Sequence, residues 1–456
     1  MNQLEQQQQG TQRMKKFGTH VSASLAVAIV LKIINLILVK ILTVFIAKEE
    51  YAIYSLILSL VALLSTFSTT AFSESLARFL PRHRVAGRKE DAARLFLTVI
   101  LASLIVLTFI LLGLVFTGLL GLEDVIDDEI LWAVVIIGLL ALIYNIKEII
   151  LVSSNSEQNS REVVTYNLAY TLSASFLASI FAITIGSYEA LLVGLIIGYG
   201  LPVLVTLGSK VKRYGSVAPN LEELRNVTKY GSPFVLMNTI PYLVNFMSVY
   251  AIGVYIGLSF MASFSIALSV TSLFAFAVSP PMVAYRAYVV ATYESGDLEE
   301  GNLITSRIIE LYCMLAVFFL WGIGIFTPII IPIISTVNYL DAAVLVPYTL
   351  FSAFLISSTY FWRLRVDLSE RTYLTGIASF LSLVPYVIVL VVLLPTIGII
   401  GAGVAMCIQA LTAMVMIIYL GNREYRISLD RGFFLRWLGS VLILVFSYMI
   451  TNQKIG

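Results

Sequence analysis

Runs of about 20 or more apolar residues, separated by short polar breaks, recur along the whole chain. They predict helices near 21–46, 51–80, 92–119, 129–152, 161–185, 188–211, 226–257, 260–293, 299–327, 338–365, 369–394, 397–420 and 432–451. A run of that length crosses a bilayer core as a helix. With no water to bond, such a span must satisfy its backbone polar groups internally. The two-residue alternation of an outer-membrane barrel is absent, and no stretch between the runs is long enough for a separate soluble domain. The first run follows a polar, Gln-rich tail and is too long for the core of a cleavable signal.

Composition excludes a soluble globular chain: 59% of residues are hydrophobic, 12% are charged, and the mean hydropathy is +0.93. Cys313 and Cys407 both lie in apolar runs, which implies neither a disulfide framework nor a Cys-based metal site. The net charge of +2 says little, but its distribution is lopsided. With the N-terminus inside, cytoplasmic segments hold Arg13, Lys15 and Lys16, then Arg78 to Arg94, Lys147, Arg161, Lys210 to Lys229, Arg286, Arg307, Arg363 to Arg371 and Arg423 to Arg436. The opposite side keeps Lys48 and Lys454 and carries Glu123, Asp124, Asp127, Asp128 and Glu129. That asymmetry predicts a multi-pass protein of the plasma or inner membrane with a cytoplasmic N-terminus. Twelve spans close the pattern, and the thirteenth run is left over.

A direct repeat of about 210 residues divides the twelve. Lys16-Phe17-Gly18-Thr19 recurs as Lys229-Tyr230-Gly231-Ser232, and Tyr54-Ser55-Leu56 as Phe264-Ser265-Ile266. Six spans per half give both halves one orientation. The expected fold is therefore an all-α polytopic membrane protein of two six-helix bundles, related by a pseudo-two-fold along the membrane normal, plus one extra C-terminal helix. The domains follow: 1–20 a cytoplasmic tail, 21–213 the first lobe, 214–225 a cytoplasmic linker, 226–421 the second lobe and 432–451 the added helix.

Four stretches carry a resemblance. They are Glu49-Glu50-Tyr51-Ala52-Ile53-Tyr54-Ser55; Ser73-Glu74-Ser75-Leu76-Ala77-Arg78-Phe79-Leu80-Pro81 with Gly87-Arg88-Lys89-Glu90-Asp91; Lys229-Tyr230-Gly231-Ser232-Pro233; and Leu394-Pro395-Thr396-Ile397-Gly398-Ile399-Ile400-Gly401-Ala402-Gly403-Val404-Ala405. Over the first twelve runs the chain resembles the polysaccharide transporters, or lipid-linked oligosaccharide flippases, of the superfamily that also holds multidrug and toxic-compound exporters. Many members have an Asp-Arg pair in the seventh helix, where this chain has Asn245-Phe246-Met247-Ser248. No ion-binding role of that Asp carries over.

Lys32 is the residue that asks for an explanation. It lies about 16 Å into the first helix, too deep to snorkel. An ammonium at that depth costs about 3 kcal/mol on the lenient scale unless it meets polar surroundings. One reading makes it a contact for the phosphate of a lipid-linked sugar; the other pairs it with an acid such as Glu74 or Glu310. Asn35 extends the same polar stripe. Asn238, Tyr242, Asn245 and Ser248 follow helical spacing on the seventh helix and either complete a cavity or bond neighbouring helices. Arg78 is four residues from Glu74 and reads as an ion pair or as a substrate contact, and Arg286 as a phosphate contact near the cytoplasmic mouth. The candidate substrate-binding set is thus Lys32, Asn35, Arg78, Asn238, Asn245 and Arg286.

No catalytic constellation, metal set or phosphate-cradling Gly-Lys-Ser/Thr loop is present, so neither an enzyme nor a cofactor is expected. The resemblance implies a flippase that moves a polyprenyl-phosphate or polyprenyl-pyrophosphate-linked oligosaccharide outward by alternating access, for surface polysaccharide assembly. Its partners would be that substrate, membrane lipids, and a polysaccharide polymerase or glycosyltransferases, with no nucleic acid. An organic-cation exporter of the same fold and a membrane polymerase are the alternatives.

Overall fold

The computed structural model describes residues 27–121, 128–157, 159–215, 217–295, 298–369, 371–424 and 439. The tail 1–20, the loop acids Glu123, Asp124 and Asp127, and the thirteenth run at 432–451 apart from Gly439 lie outside the described residues.

The described chain is helical: α1 (Val27–Phe45), α2 (Lys48–Val85), α3 (Lys89–Gly121), α4 (Asp128–Ser156), α5 (Ser160–Thr184), α6 (Tyr188–Tyr214), α7 (Leu221–Tyr255), α8 (Leu258–Ser295), α9 (Leu298–Ile334), α10 (Val346–Leu368), α11 (Thr372–Ile397) and α12 (Ile399–Glu424). Eleven of these helices are long and apolar enough to cross a membrane. A further apolar stretch is bent: a 3-10 turn, Val337–Val344, meets α10 at 56°. Pro347 occupies the first turn of α10, where its missing N–H costs nothing and its fixed φ starts the new helix. α11 is also in two pieces, Thr372–Leu381 and Leu383–Ile397, with Ser382 between them and Pro385 in the first turn of the second.

Helix ends follow local chemistry. α2 opens with Glu49 and Glu50 and closes with Arg82, His83 and Arg84, matching the helix dipole at both ends. Asn159 caps α5 through the Glu162 amide (3.3 Å), and Ser187 caps α6 through the Ala190 amide (3.4 Å).

Two compact units make up the fold. The first takes Met1–Ile46 and Leu64–Ser232, the second Ala47–Leu63 and Pro233–Gly456. Helices α2 and α7 are therefore each divided, with residues on either side of 63/64 and of 232/233 belonging to different units.

In the first unit α5 and α6 pack backbone to backbone. Gly194 and Gly198 of α6 lie against Ala178 and Ala174 of α5; a Cβ on Gly198 would stand 2.5 Å from the Ala174 Cα. Small residues four apart on both helices permit this approach, the usual way membrane helices gain contact when lipid is as apolar as leucine. The Ser173 hydroxyl then reaches the Gly198 carbonyl at 2.5 Å. Phe72, Leu76, Leu95, Phe96 and Ile149 form one core of this unit, and Ile146, Ile150, Tyr170 and Val203 another.

In the second unit Tyr312 stacks on Phe354 (5.9 Å between centroids), and Tyr285 meets Phe361 edge-on (5.0 Å). Ser265 of α8 donates to Ser55 of α2 at 2.8 Å, so the two serines matched by the internal repeat touch. Lys48, the outlier of the charge pattern, has an ion partner: its ammonium is 2.9 Å from Asp341 and 3.0 Å from the Asn338 carbonyl, and Asp341 also accepts from Ser263 (2.7 Å).

Candidate functional site

α1 is buried in its unit only near its far end, at Leu42, Thr43 and Ile46. Lys32 and Asn35 lie on the loosely packed half, Lys32 half-buried and Asn35 exposed.

Arg78 is held by an aromatic contact. Its guanidinium lies 4.5 Å from the centroid of the Tyr230 ring, and that ring meets Phe79 edge-on at 5.5 Å. The contact is built from the backbone up. Gly231 of α7 sits so close to α2 that a Cβ there would stand 1.9 Å from the Ala71 carbonyl oxygen. Ser75 of α2 donates to the carbonyls of Ala71 (2.8 Å) and Val227 (2.7 Å). Farther along, His83 lies 3.5 Å from Glu223. The pairs run in opposite order along the two helices, which are antiparallel here. The motif Lys229-Tyr230-Gly231-Ser232-Pro233 thus has a local meaning: Gly231 allows contact, Tyr230 seats Arg78, and Pro233 begins the second unit. Arg78 remains exposed.

A second cation of the first unit is treated alike. The Lys147 ammonium is 4.4 Å from the Tyr144 centroid and 5.1 Å from that of Tyr199. Next to it Glu148 is exposed and within electrostatic reach of Lys147 and Glu74. Asn145, fully buried in the same helix, bonds Ser68 of α2 at 2.8 Å.

The basic end of α6 is built differently. Lys210 bridges Glu157 (3.1 Å) and Glu162 (3.0 Å) with its side chain 1% exposed. Arg213 pairs with both carboxylates, the Tyr214 hydroxyl donates to Glu157, and Arg84 donates to the Glu157 carbonyl (3.1 Å). Two carboxylates and two cations close on one another.

In the second unit the polar residues of α7 separate into roles. Ser248 bonds the Tyr386 hydroxyl (2.7 Å), which also reaches the Val244 carbonyl (3.0 Å); this is packing between helices. Asn238 accepts from Arg363 Nη2 at 3.2 Å, and Arg363 Nε lies 3.6 Å from Asp367. Asn245 has a buried Oδ1 with no hydrogen-bond partner among the described residues. Arg286 lies on α8; its side chain falls outside the described residues. Arg363 is the residue that sequence reasoning counted only toward topology. Its helix runs on to Leu368, three residues beyond the predicted end at 365. Among the described residues no three His, Cys, Asp or Glu side chains gather into a metal-binding group.

Residues 18–285 match the family model described as "Polysaccharide biosynthesis protein". The chain belongs to this family. The match spans well over half of its length and ties the protein to polysaccharide biosynthesis. No curated protein sequence matches it significantly. Among solved structures it is similar to the lipid II flippase MurJ in an inward closed conformation, at 14% identity and a TM-score of 0.70, over 95% of this chain and 92% of that one. An inward-facing multidrug resistance MATE family transporter of the MOP superfamily gives 15% identity and a TM-score of 0.62, over 88% and 97%. A MOP superfamily transporter from Pyrococcus furiosus, described with a binding pocket of reverse polarity, gives 16% and 0.62, over 89% and 94%. At these identities the likeness shows the fold, the two-bundle exporter fold of that superfamily. This polysaccharide biosynthesis family member is thus a multi-pass membrane protein with that fold.

Proposed function

We propose that the protein is a flippase that moves a lipid-linked oligosaccharide, carried on a polyprenyl phosphate or pyrophosphate, from the cytoplasmic to the outer leaflet by alternating access. The carrying observation is the family match to polysaccharide biosynthesis on a chain whose fold is that of exporters and of a lipid II flippase. The geometry supports an anionic substrate. In the first unit Lys32 and Asn35 lie on a sparsely packed helix, and Arg78 presents an exposed guanidinium with its ring seat behind it. In the second unit Asn238 and Arg363 form a joined pair, Asn245 has an open acceptor, and Arg286 adds a cation in sequence. Guanidinium groups suit phosphate because they donate in a planar fork. In this reading the N-terminus and the basic helix ends face the cytoplasm, and the enzymes that build and polymerise the glycan would be the partners.

Deletion in the native host, followed by extraction of the polyprenyl-linked glycans, tests the reading. A lipid-linked oligosaccharide should accumulate and surface polysaccharide should fall, and Lys32→Ala should reproduce the defect with protein still in the membrane. Unchanged glycan lipids, or export of a fluorescent organic cation by the reconstituted protein, would replace the flippase by the exporter reading.

A further inference from the structure

The row Asn238, Tyr242, Phe246, Tyr250 on α7 repeats every four residues, the spacing of one helix face. All of it belongs to the second unit. Tyr242 is 42% and Tyr250 53% exposed, and the Phe246 and Tyr250 rings lie nearly parallel, 22° apart with centroids at 6.0 Å. The row runs about 18 Å from the Arg363-bound amide to the last ring at the rise of an α-helix.

Two ordinary explanations fit poorly. Interfacial tyrosines sit at helix ends with the hydroxyl at the headgroups. Tyr242 is instead about 20 Å inside the Tyr255 end of α7. The exposed strip of α9, with Leu311, Met314, Phe318, Ile325, Phe326 and Ile329, mixes aliphatic side chains and rings and carries no amide. The α7 row instead joins three aromatic rings to the Asn238 amide, and Asn245, beside Tyr242 on the helix, carries a buried Oδ1 with no partner among the described residues.

Rings and amides together are the chemistry of a sugar. A pyranose is polar at its rim and presents C–H groups on its faces, and an aromatic face carries the negative end of a quadrupole that attracts them. Side-chain amides accept from and donate to the rim hydroxyls. Building on the flippase reading, we infer that this face of α7 is a track for the glycan of the substrate: Tyr242, Phe246 and Tyr250 stack on successive sugar rings, Asn238 and Asn245 bond their hydroxyls, and Arg363 marks the end nearest the phosphate. The track would act on glycan length, because each added sugar meets another ring.

The test uses the full-length protein in proteoliposomes and two probes. One is the radiolabelled polyprenyl-linked glycan extracted from cells lacking the protein, the other the same carrier bearing only its first sugar. Phe246→Ala combined with Tyr250→Ala, the two rings beyond the first sugar, should slow the full glycan about tenfold and leave the single-sugar carrier at the wild-type rate. Tyr242→Phe with Tyr250→Phe keeps the rings and should keep most of the rate. Phe318→Ala, at a 70% exposed position on α9, should change neither probe. Equal slowing of both probes, or of neither, overturns the track while the flippase reading stands. A wild-type protein that moves neither probe overturns the flippase reading and the track with it.

Discussion

Two basic helix ends of the first unit look alike in sequence and differ in structure. At the end of α6, Lys210 and Arg213 are consumed by Glu157 and Glu162 in a clasp that also takes in Tyr214. Toward the end of α2, Arg78 lies over Tyr230 and stays exposed. In the clasp each positive charge meets a negative one at ion-pair distance, and a buried pair of this kind is held because breaking it strands a charge. Over a ring, a guanidinium keeps its full charge and its donors at the edge. The inside-positive pattern counts both groups equally. The difference is between charge spent on holding helices together and charge left for an anionic ligand.

The largest effect should come from the middle of the clasp. Lys210→Met leaves the Glu157 and Glu162 carboxylates, 4% and 13% exposed, with the half-exposed Arg213 as their one ion-pair partner among the described residues, beside the Tyr214 and Ser154 hydroxyls. Removing one partner of a buried ionic network costs about 3–5 kcal/mol. Thermal unfolding of the detergent-solubilised protein should show a large fall in melting temperature, with transport lost in proportion to folded protein. A melting temperature like that of the wild type would mean the clasp carries no stability.

Arg78→Ala should do the opposite. Stability should be nearly unchanged, since an exposed cation over a ring contributes about 0.5–1 kcal/mol, while glycan-lipid transport falls about tenfold, near 1.4 kcal/mol of lost substrate interaction. Arg78→Lys keeps a charge but not the fork and should recover part of the rate. A melting temperature that drops as far as for Lys210→Met would move Arg78 to the structural side of the comparison.

Within the clasp itself the exposed member should matter less. The Arg213 side chain is 47% exposed, so water replaces much of what the carboxylates lose. Arg213→Ala should cost about 0.5–1 kcal/mol, the range for solvent-exposed ion pairs. The same unfolding measurement checks it, and a loss equal to that of Lys210→Met would show that the two cations act as one.

Much of this architecture was legible because a bilayer imposes one simple rule. Eleven apolar runs became helices long and apolar enough to cross a membrane, most of them close to their predicted ends, with 188–211 observed as Tyr188–Tyr214 and 161–185 as Ser160–Thr184. The break at Ser382 was not legible: Pro385 signals a bend, but a run of apolar residues looks the same whether one helix or two fill it. The candidate site was legible by residue type and not by partner. Arg363 counted only toward the charge asymmetry, yet it meets Asn238 across 125 positions of sequence. Similarly, nothing in the spacing around Lys48 points to Asp341, which is brought to it only by the 3-10 stretch ahead of α10. Periodicity reports which face of a helix is wet, and tertiary packing decides what that face touches.

The smallest effect tests the ring under Arg78 and so the core of the comparison. Tyr230→Phe retains the aromatic face and should change neither stability nor rate measurably. Tyr230→Leu removes it, and melting should fall by no more than about 1 kcal/mol. If the ring serves to aim the guanidinium, transport should still drop several-fold, because a guanidinium without its seat spends less time in the geometry that phosphate needs. The double variant Arg78→Ala with Tyr230→Leu then decides the matter. Residues acting through one contact are non-additive, so the pair should transport no worse than Arg78→Ala alone. Fully additive losses would mean that Tyr230 supports α7 for reasons of its own, through its contact with Phe79. In that case the two helix ends would differ only in burial, and the distinction between spent and available charge would rest on Arg78 alone.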